Sequence, residues 1–222
     1  MRTGTYLKRE IGLFLFQVRE VRKLLIVPGL LLFILIPFLL FLTMKKYNDF
    51  SYVKGNLELL AQYLMPVMSV WRTGFAFAEL MESEGEEVHY VNHRMKDNQI
   101  LLWLGLYLVV LAFWFGIAGI WLQGIWMEYI RQVISCCFYT GLLYCAMFWS
   151  SSMTFSFLAV MLYWMTSLFV KQIPLDFLNC YDPRSMTVQL LTEKYLYVML
   201  AAILLYGAGL SGNKRKEPER FL

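Results

Sequence analysis

The run LLIVPGLLLFILIPFLLFLT, residues 24–43, decides the class of this chain. It carries no charge and is long enough to cross a hydrocarbon core of about 30 Å at about 1.5 Å per helical residue. It exceeds the apolar core of a signal peptide, about 7–15 residues, and no small-x-small cleavage site follows, so it reads as a retained membrane span. Pro28 and Pro37 remove two backbone donors, which a membrane helix tolerates as a kink when neighbours satisfy the freed carbonyls.

Five further spans follow from the same pattern, at about residues 56–78, 100–122, 132–149, 154–170 and 195–210. The triplet Ser150-Ser151-Ser152 makes the fourth and fifth a tight helical hairpin. Composition agrees: of 222 residues, 59% are apolar and 16% charged, against about 45–50% and about 25% in a soluble domain. A large extramembrane domain does not fit in what remains. The net charge of +4 is too small and too scattered for a nucleic-acid surface. Cys136, Cys137 and Cys145 sit in one apolar stretch, Cys180 stands apart, and the absence of any CxxC argues against a zinc site or a disulfide framework.

The fold class expected is therefore an all-α polytopic membrane protein in a single unit. Residues 1–23 form an amphipathic helix in the interface plane, 24–211 a six-helix bundle and 212–222 a charged tail. In the first of these, Leu7, Ile11, Phe14, Leu15, Val18 and Val21 recur at helical spacing among Lys8, Arg9, Arg19, Arg22 and Lys23. With both termini on one side, that side holds 13 of the 20 Lys and Arg and the other holds 7, so both termini are expected in the cytoplasm. Between 171 and 194, Pro174, Asp176, Cys180 and Asp182-Pro183-Arg184 break up short apolar stretches, which suits short interfacial or re-entrant helices.

The second span is the least apolar. Glu58, Gln62, Ser69, Arg72 and Thr73 fall within a sector roughly 100° wide, a face that is costly against lipid and is expected to point into the bundle or an aqueous path. Glu58 and Arg72 have a second reading, in which each reaches a headgroup layer. Gln62 and Ser69 are the better candidates for interior packing or path lining.

The polar segment 79–98 reads ELMESEGEEVHYVNHRMKDN. Gly85 is a helix break; Glu86 and Glu87 then lie where a helix N-terminus favours anions, and Arg94 and Lys96 where its C-terminus favours cations. Val88, Val91 and Met95 form an apolar stripe able to dock on a partner. His89 and His93 are spaced i, i+4 with Glu86 one turn earlier, which permits a metal site geometrically, but there is no His-Glu-x-x-His and no third ligand. The glutamate pair ahead of HxxxH is also similar to CAAX-type intramembrane proteases, yet Val91 stands where those carry an arginine. Solvated histidines are the commoner outcome.

In its layout the chain resembles the membrane subunit of an ABC-2-type ABC transporter. That family has an elbow helix, six spans, cytoplasmic termini, and a coupling helix after an acidic pattern close to E-x-x-G-T-x-E. Here the pattern reads Glu82-Ser83-Glu84-Gly85-Glu86-Glu87-Val88: Glu82 and Gly85 match, Glu86 replaces the threonine, and the last glutamate is out of register. Pro174 and Asp182-Pro183 fit the family's short outer-leaflet helices between spans five and six. The proline and lysine usual before the third span are absent.

The resemblance implies a permease subunit in the bacterial plasma membrane, paired with a second permease (the same chain or a paralogue) and driven by a separate ABC ATPase that binds ATP and Mg. Contact with the ATPase would fall on Glu82, Gly85, Glu86, Glu87, Val88, Val91 and Arg94, and the substrate path would be lined by Gln62, Ser69, Arg72 and Thr73. No cofactor, metal or catalytic residue is expected in this chain, which has no G-x-x-x-x-G-K-[ST]. Small permeases of this type expel amphipathic peptides, and 13 methionines suit an apolar cargo, although aromatics and methionines also simply pack membrane helices. Polyglycan export is less favoured. A non-transporting scaffold and an intramembrane enzyme are the other classes.

Overall fold

The computed structural model describes residues 12, 26–82, 93–169 and 176–219. The expected elbow helix, apart from Gly12, therefore lies outside the described residues. These are almost entirely helical and contain no strand. The elements are α1 (Ile26–Tyr47), α2 (Phe50–Glu82), α3 (His93–Trp121), α4 (Ile125–Ser150), α5 (Met153–Phe169) and α6, which runs without a break through Val188–Leu190, Leu191–Tyr195 and Leu196–Glu219.

Among the described residues, four helices are long and apolar enough to cross a membrane: Ile26–Tyr47, Asn98–Trp121, Ile125–Ser150 and Val188–Asn213. Their outward faces carry large apolar side chains such as Phe41, Phe113, Ile120 and Leu204, each more than 60% exposed. So much exposed apolar surface belongs in lipid, and the chain is an α-helical membrane protein. The two other expected spans differ from these four. α5 is apolar but has 17 residues, about 25 Å. α2 has 33 residues and is interrupted by polar side chains.

Two of the helices contain a π-helical turn. In α1 it covers Leu31–Leu35, between the two prolines, with the Ile36 N–H reaching back to the Leu31 carbonyl. The indole N–H of Trp114, from α3, donates to the Leu32 carbonyl at 3.0 Å, supplying from a neighbour what the disturbed ladder does not. Around Pro66 in α2 the same device recurs: Tyr107 donates to the Met65 carbonyl at 2.7 Å and Trp164 to the Tyr63 carbonyl at 3.1 Å.

Tight turns set the up-and-down order. Asn48, with φ 50°, ends α1; Gly124, with φ 77°, precedes α4; Ser151, with φ 56°, ends α4 within the expected serine turn. A positive φ costs Gly nothing and Asn little. α4 is the central helix. One core cluster packs α1, α2 and α3 against it, and a second packs α5 and α6. Against α6 the approach is close: a Cβ on Gly209 would enter the Tyr144 ring, and one on Gly141 would lie 3.2 Å from the Ala202 carbonyl. Small residues of this kind let membrane helices pack backbone to backbone.

The connections α1–α2, α3–α4 and α5–α6 meet at one end of the bundle. Lys54, in the first turns of α2, donates to the Gln123 carbonyl at 3.0 Å, and Ser185 of the α5–α6 loop donates to Glu58 at 3.4 Å. Among the described residues, that end holds the buried charges Glu58, Glu128, Arg131, Asp182 and Lys194.

Candidate functional site: a buried charge cluster under the α5–α6 loop

The cluster starts on α4, where Glu128, Arg131, Gln132 and Ser135 follow one another at i, i+3, i+4 and i+7, hence on one face. All four are buried, Arg131 and Gln132 completely. Arg131 Nε lies 3.3 Å from Glu128 Oε2, and Gln132 donates to Glu128 Oε1 at 2.8 Å. The guanidinium then reaches into the α5–α6 loop. Its Nη1 donates to the Asp182 carbonyl at 3.0 Å and its Nη2 to the Arg184 carbonyl at 2.6 Å, while its plane stands over the Tyr195 ring, 5.5 Å from the centroid.

Asp182 is the second node. Its carboxylate accepts from Arg184 Nη2 at 2.7 Å and from Lys194 Nζ at 3.0 Å, and its backbone N–H donates to Gln62 Oε1 at 3.0 Å. Burial alone would raise the carboxyl, but the Arg184 side-chain and backbone hydrogen bonds, with Lys194, overcome it and hold Asp182 well below the usual carboxylate range. Lys194 and Tyr195 reach the loop from the second π-helical turn, Leu191–Tyr195. Lys194 also donates to the Tyr181 carbonyl at 3.2 Å, and Tyr195 to the Cys180 carbonyl at 2.9 Å.

Among the described residues of the loop, 176–187, there is one 3₁₀ turn, at Asp176–Leu178, and side chains from four helices bond to its backbone at Leu178, Cys180, Tyr181, Asp182 and Arg184. Tyr163 of α5 donates to the Leu178 carbonyl at 2.6 Å, and Tyr63 of α2 stacks on Tyr181 with centroids 4.9 Å apart. Thr187 caps α6 by accepting from the Leu190 N–H at 3.2 Å. Buried irregular backbone needs protein partners for its hydrogen bonds, and here Arg131, Lys194, Tyr195, Tyr163 and Gln62 supply several of them. The arrangement clamps the loop across α2, α4, α5 and α6; among the described residues no group of three or more His, Cys, Asp or Glu is placed to hold a metal.

The polar stripe of α2 divides. Glu58 is buried, 4.0 Å from Lys54 and in reach of Ser185, and Gln62 joins the cluster through Asp182. Ser69 and Thr73 are buried deeper along the helix and donate to carbonyls of α2 itself, Pro66 at 2.6 Å and Ser69 at 2.7 Å. Arg72 lies on α2 between them. Of the acidic segment, Glu82 is the last residue of α2 and Arg94 lies in the first turn of α3. Gly85, Glu86, Glu87, Val88, His89 and Val91 lie outside the described residues.

The hydropathy pattern puts the start of the fourth span at Gln132 and places Glu128 and Arg131 in a connection, whereas the helix begins at Ile125 and the connection is residues 122–124. The signal that finds them is the i, i+3, i+4, i+7 polar stripe, continuous with Gln132 and Ser135. Likewise α6 begins at Val188, not 195, which brings Lys194 into a helix. No protein-family model, curated protein or solved structure matches this chain.

Proposed function

We propose that this chain is the permease subunit of an ATP-driven ABC transporter of the ABC-2 type, with six spans, α2 and α5 completing the four more apolar ones. Two permease subunits form the path along their interface, and a separate ATPase subunit, which holds ATP and Mg, is the motor. The direction is export, the cargo hydrophobic or amphipathic, and the site the bacterial plasma membrane with both termini cytoplasmic.

The observation that supports this reading is the length of α2. Its 33 residues span about 50 Å at about 1.5 Å per residue, against a hydrocarbon core of about 30 Å. α3 likewise begins at His93, five residues before its apolar stretch starts at Asn98. The C-terminal end of α2 and the N-terminal end of α3 thus both extend past the apolar stretches, at the end of the bundle opposite the clamped loop. A transporter needs such a lever, since a motor acts only through differential contacts in its two states.

The test is purification of the full chain in mild detergent from its native membrane, identification of bound proteins, and an ATPase assay. An ATPase subunit in equal stoichiometry, with ATP hydrolysis, is the expected result. Isolation of the chain alone or with unrelated membrane proteins overturns the permease reading in favour of a scaffold.

A further inference from the structure

We propose that the groove between α1, α2 and α3 binds one acyl chain of a bilayer phospholipid, with the headgroup held by the lysines at the α1–α2 turn. The groove encloses about 530 Å³, within the about 300–1,000 Å³ of small-molecule sites. Every residue lining it is apolar, among them Phe33, Pro37 and Phe41 of α1, Val53 of α2, and Trp114 and Ile117 of α3. The polar atom of Trp114 is turned away onto the Leu32 carbonyl, so that indole presents only hydrocarbon. α1 packs along α2 and reaches α3 through Trp114, and the space left beside that bridge is the groove.

Polarity along the groove names its occupant. Its rim is open on the outward faces of α1 and α3, where Phe41 is 64% exposed and Trp121 72%. Both helices are apolar enough for lipid. At the end formed by the α1–α2 and α3–α4 turns come aromatic residues: Tyr47 and Tyr52 stack at 4.8 Å, and Trp121 and Trp126 are exposed. Tyr and Trp of this kind mark headgroup depth. Beside them stand Lys45 in the last turn of α1, one turn beyond Phe41, and, across the turn, the partly exposed Lys54, while Lys46 faces the other side of α1 with Leu39 and Leu42. Hydrocarbon, then aromatic, then cationic is the order of a phospholipid from tail to phosphate, and the lysines favour an anionic headgroup. The inference needs only the membrane placement, so absence of an ATPase partner leaves it standing.

The experiment reconstitutes the full chain in phosphatidylcholine vesicles doped with phosphatidylglycerol carrying a photoactivatable acyl chain, then maps cross-linked peptides by mass spectrometry. Cross-links are expected on the groove residues of α1 and α3 at about fivefold the level of the equally exposed Ile203 and Leu204 face of α6. Ala118→Trp, which fills the groove, lowers them about fivefold; Ile120→Trp, outward on the same helix and not in the groove, does not. Lys45→Glu lowers labelling by the phosphatidylglycerol probe and not by its phosphatidylcholine counterpart, whereas Lys46→Glu, on the other side of α1, changes neither. Labelling that merely follows exposure over α1, α3 and α6 overturns the proposal, and so does an unlabelled groove beside a labelled α6, the result if a second copy or a partner helix fills it. The wild-type map decides even where Ala118→Trp fails to insert.

Discussion

Arg131 and Asp182 lie 51 residues apart, and the fully buried guanidinium of the first donates to the backbone carbonyl of the second at 3.0 Å. One side chain on the central helix thereby holds a loop between two other helices, with Glu128 as its counter-charge. Truncating it leaves that carboxylate buried and uncompensated. Arg131→Ala is expected to lower stability in detergent by about 3–5 kcal/mol, while Arg131→Met with Glu128→Gln recovers much of the loss, because both charges then leave together. Cys180 is an independent reporter: burial pushes its thiol up to about 12, so in the wild type it is protonated and slow to alkylate near pH 8. Faster alkylation in Arg131→Ala is expected. Unchanged melting and unchanged alkylation together would remove the clamp.

The pH dependence follows from Asp182. Its carboxyl is held low in the fold by Arg184 and Lys194 against the opposing effect of burial, and in the unfolded chain it titrates near about 3.9. A depressed folded value contributes stability that is fully present above about pH 4 and is lost as pH falls further, toward the folded value. Thermal unfolding is thus expected to be insensitive to this group between about pH 5 and pH 8 and to weaken below about pH 4. Asp182→Asn lowers stability throughout the neutral range and flattens the acid limb. An acid limb as steep in Asp182→Asn as in the wild type sinks the assignment.

Helix positions were legible because a membrane helix is written as a long uncharged run, and residues 24–43 and 100–122 correspond closely to α1 and the apolar part of α3. Boundaries failed where charge enters a helix without meeting lipid. Glu128 and Arg131 look like headgroup residues at a span's edge, and only the loop packed over them makes them interior. Lys194 failed in the same way, since the π-helical turn that carries it follows from no propensity of Leu-Thr-Glu-Lys-Tyr. The network joins residues from 58 to 194, and nothing in local spacing announces a contact of that range.

At the α4–α6 interface, Gly209 faces the Tyr144 ring where no Cβ fits, whereas Gly207, one turn face away, has nothing within 4 Å of the same position. Gly209→Leu is expected to cost about 1–3 kcal/mol through overpacking. Gly207→Leu, lipid-facing in the same helix, serves as the comparison and should be near neutral. Comparison of the two melting curves in detergent separates helix packing from helix propensity. Equal curves mean that α6 does not approach α4 this closely in the membrane.

The segment beyond α2 carries the last prediction, which belongs to the permease reading. Glu82 ends a 33-residue helix that on this reading extends past the apolar layer, so reversing its charge alters what a motor subunit would meet while leaving the inserted helices untouched. Val91, on the expected apolar stripe, is the complementary probe: Val91→Gln keeps the size and removes the apolar contact. Each variant is expected to insert normally, to retain the ATPase subunit's basal hydrolysis, and to lose transport by about tenfold, the effect of withdrawing about 1.4 kcal/mol of coupling between the two states. Transport of the copurified complex measured beside its ATP hydrolysis decides the matter. If both rates stay at wild-type levels in both variants, the stretch from Glu82 to Val91 transmits nothing, and the lever must lie elsewhere on the cytoplasmic face.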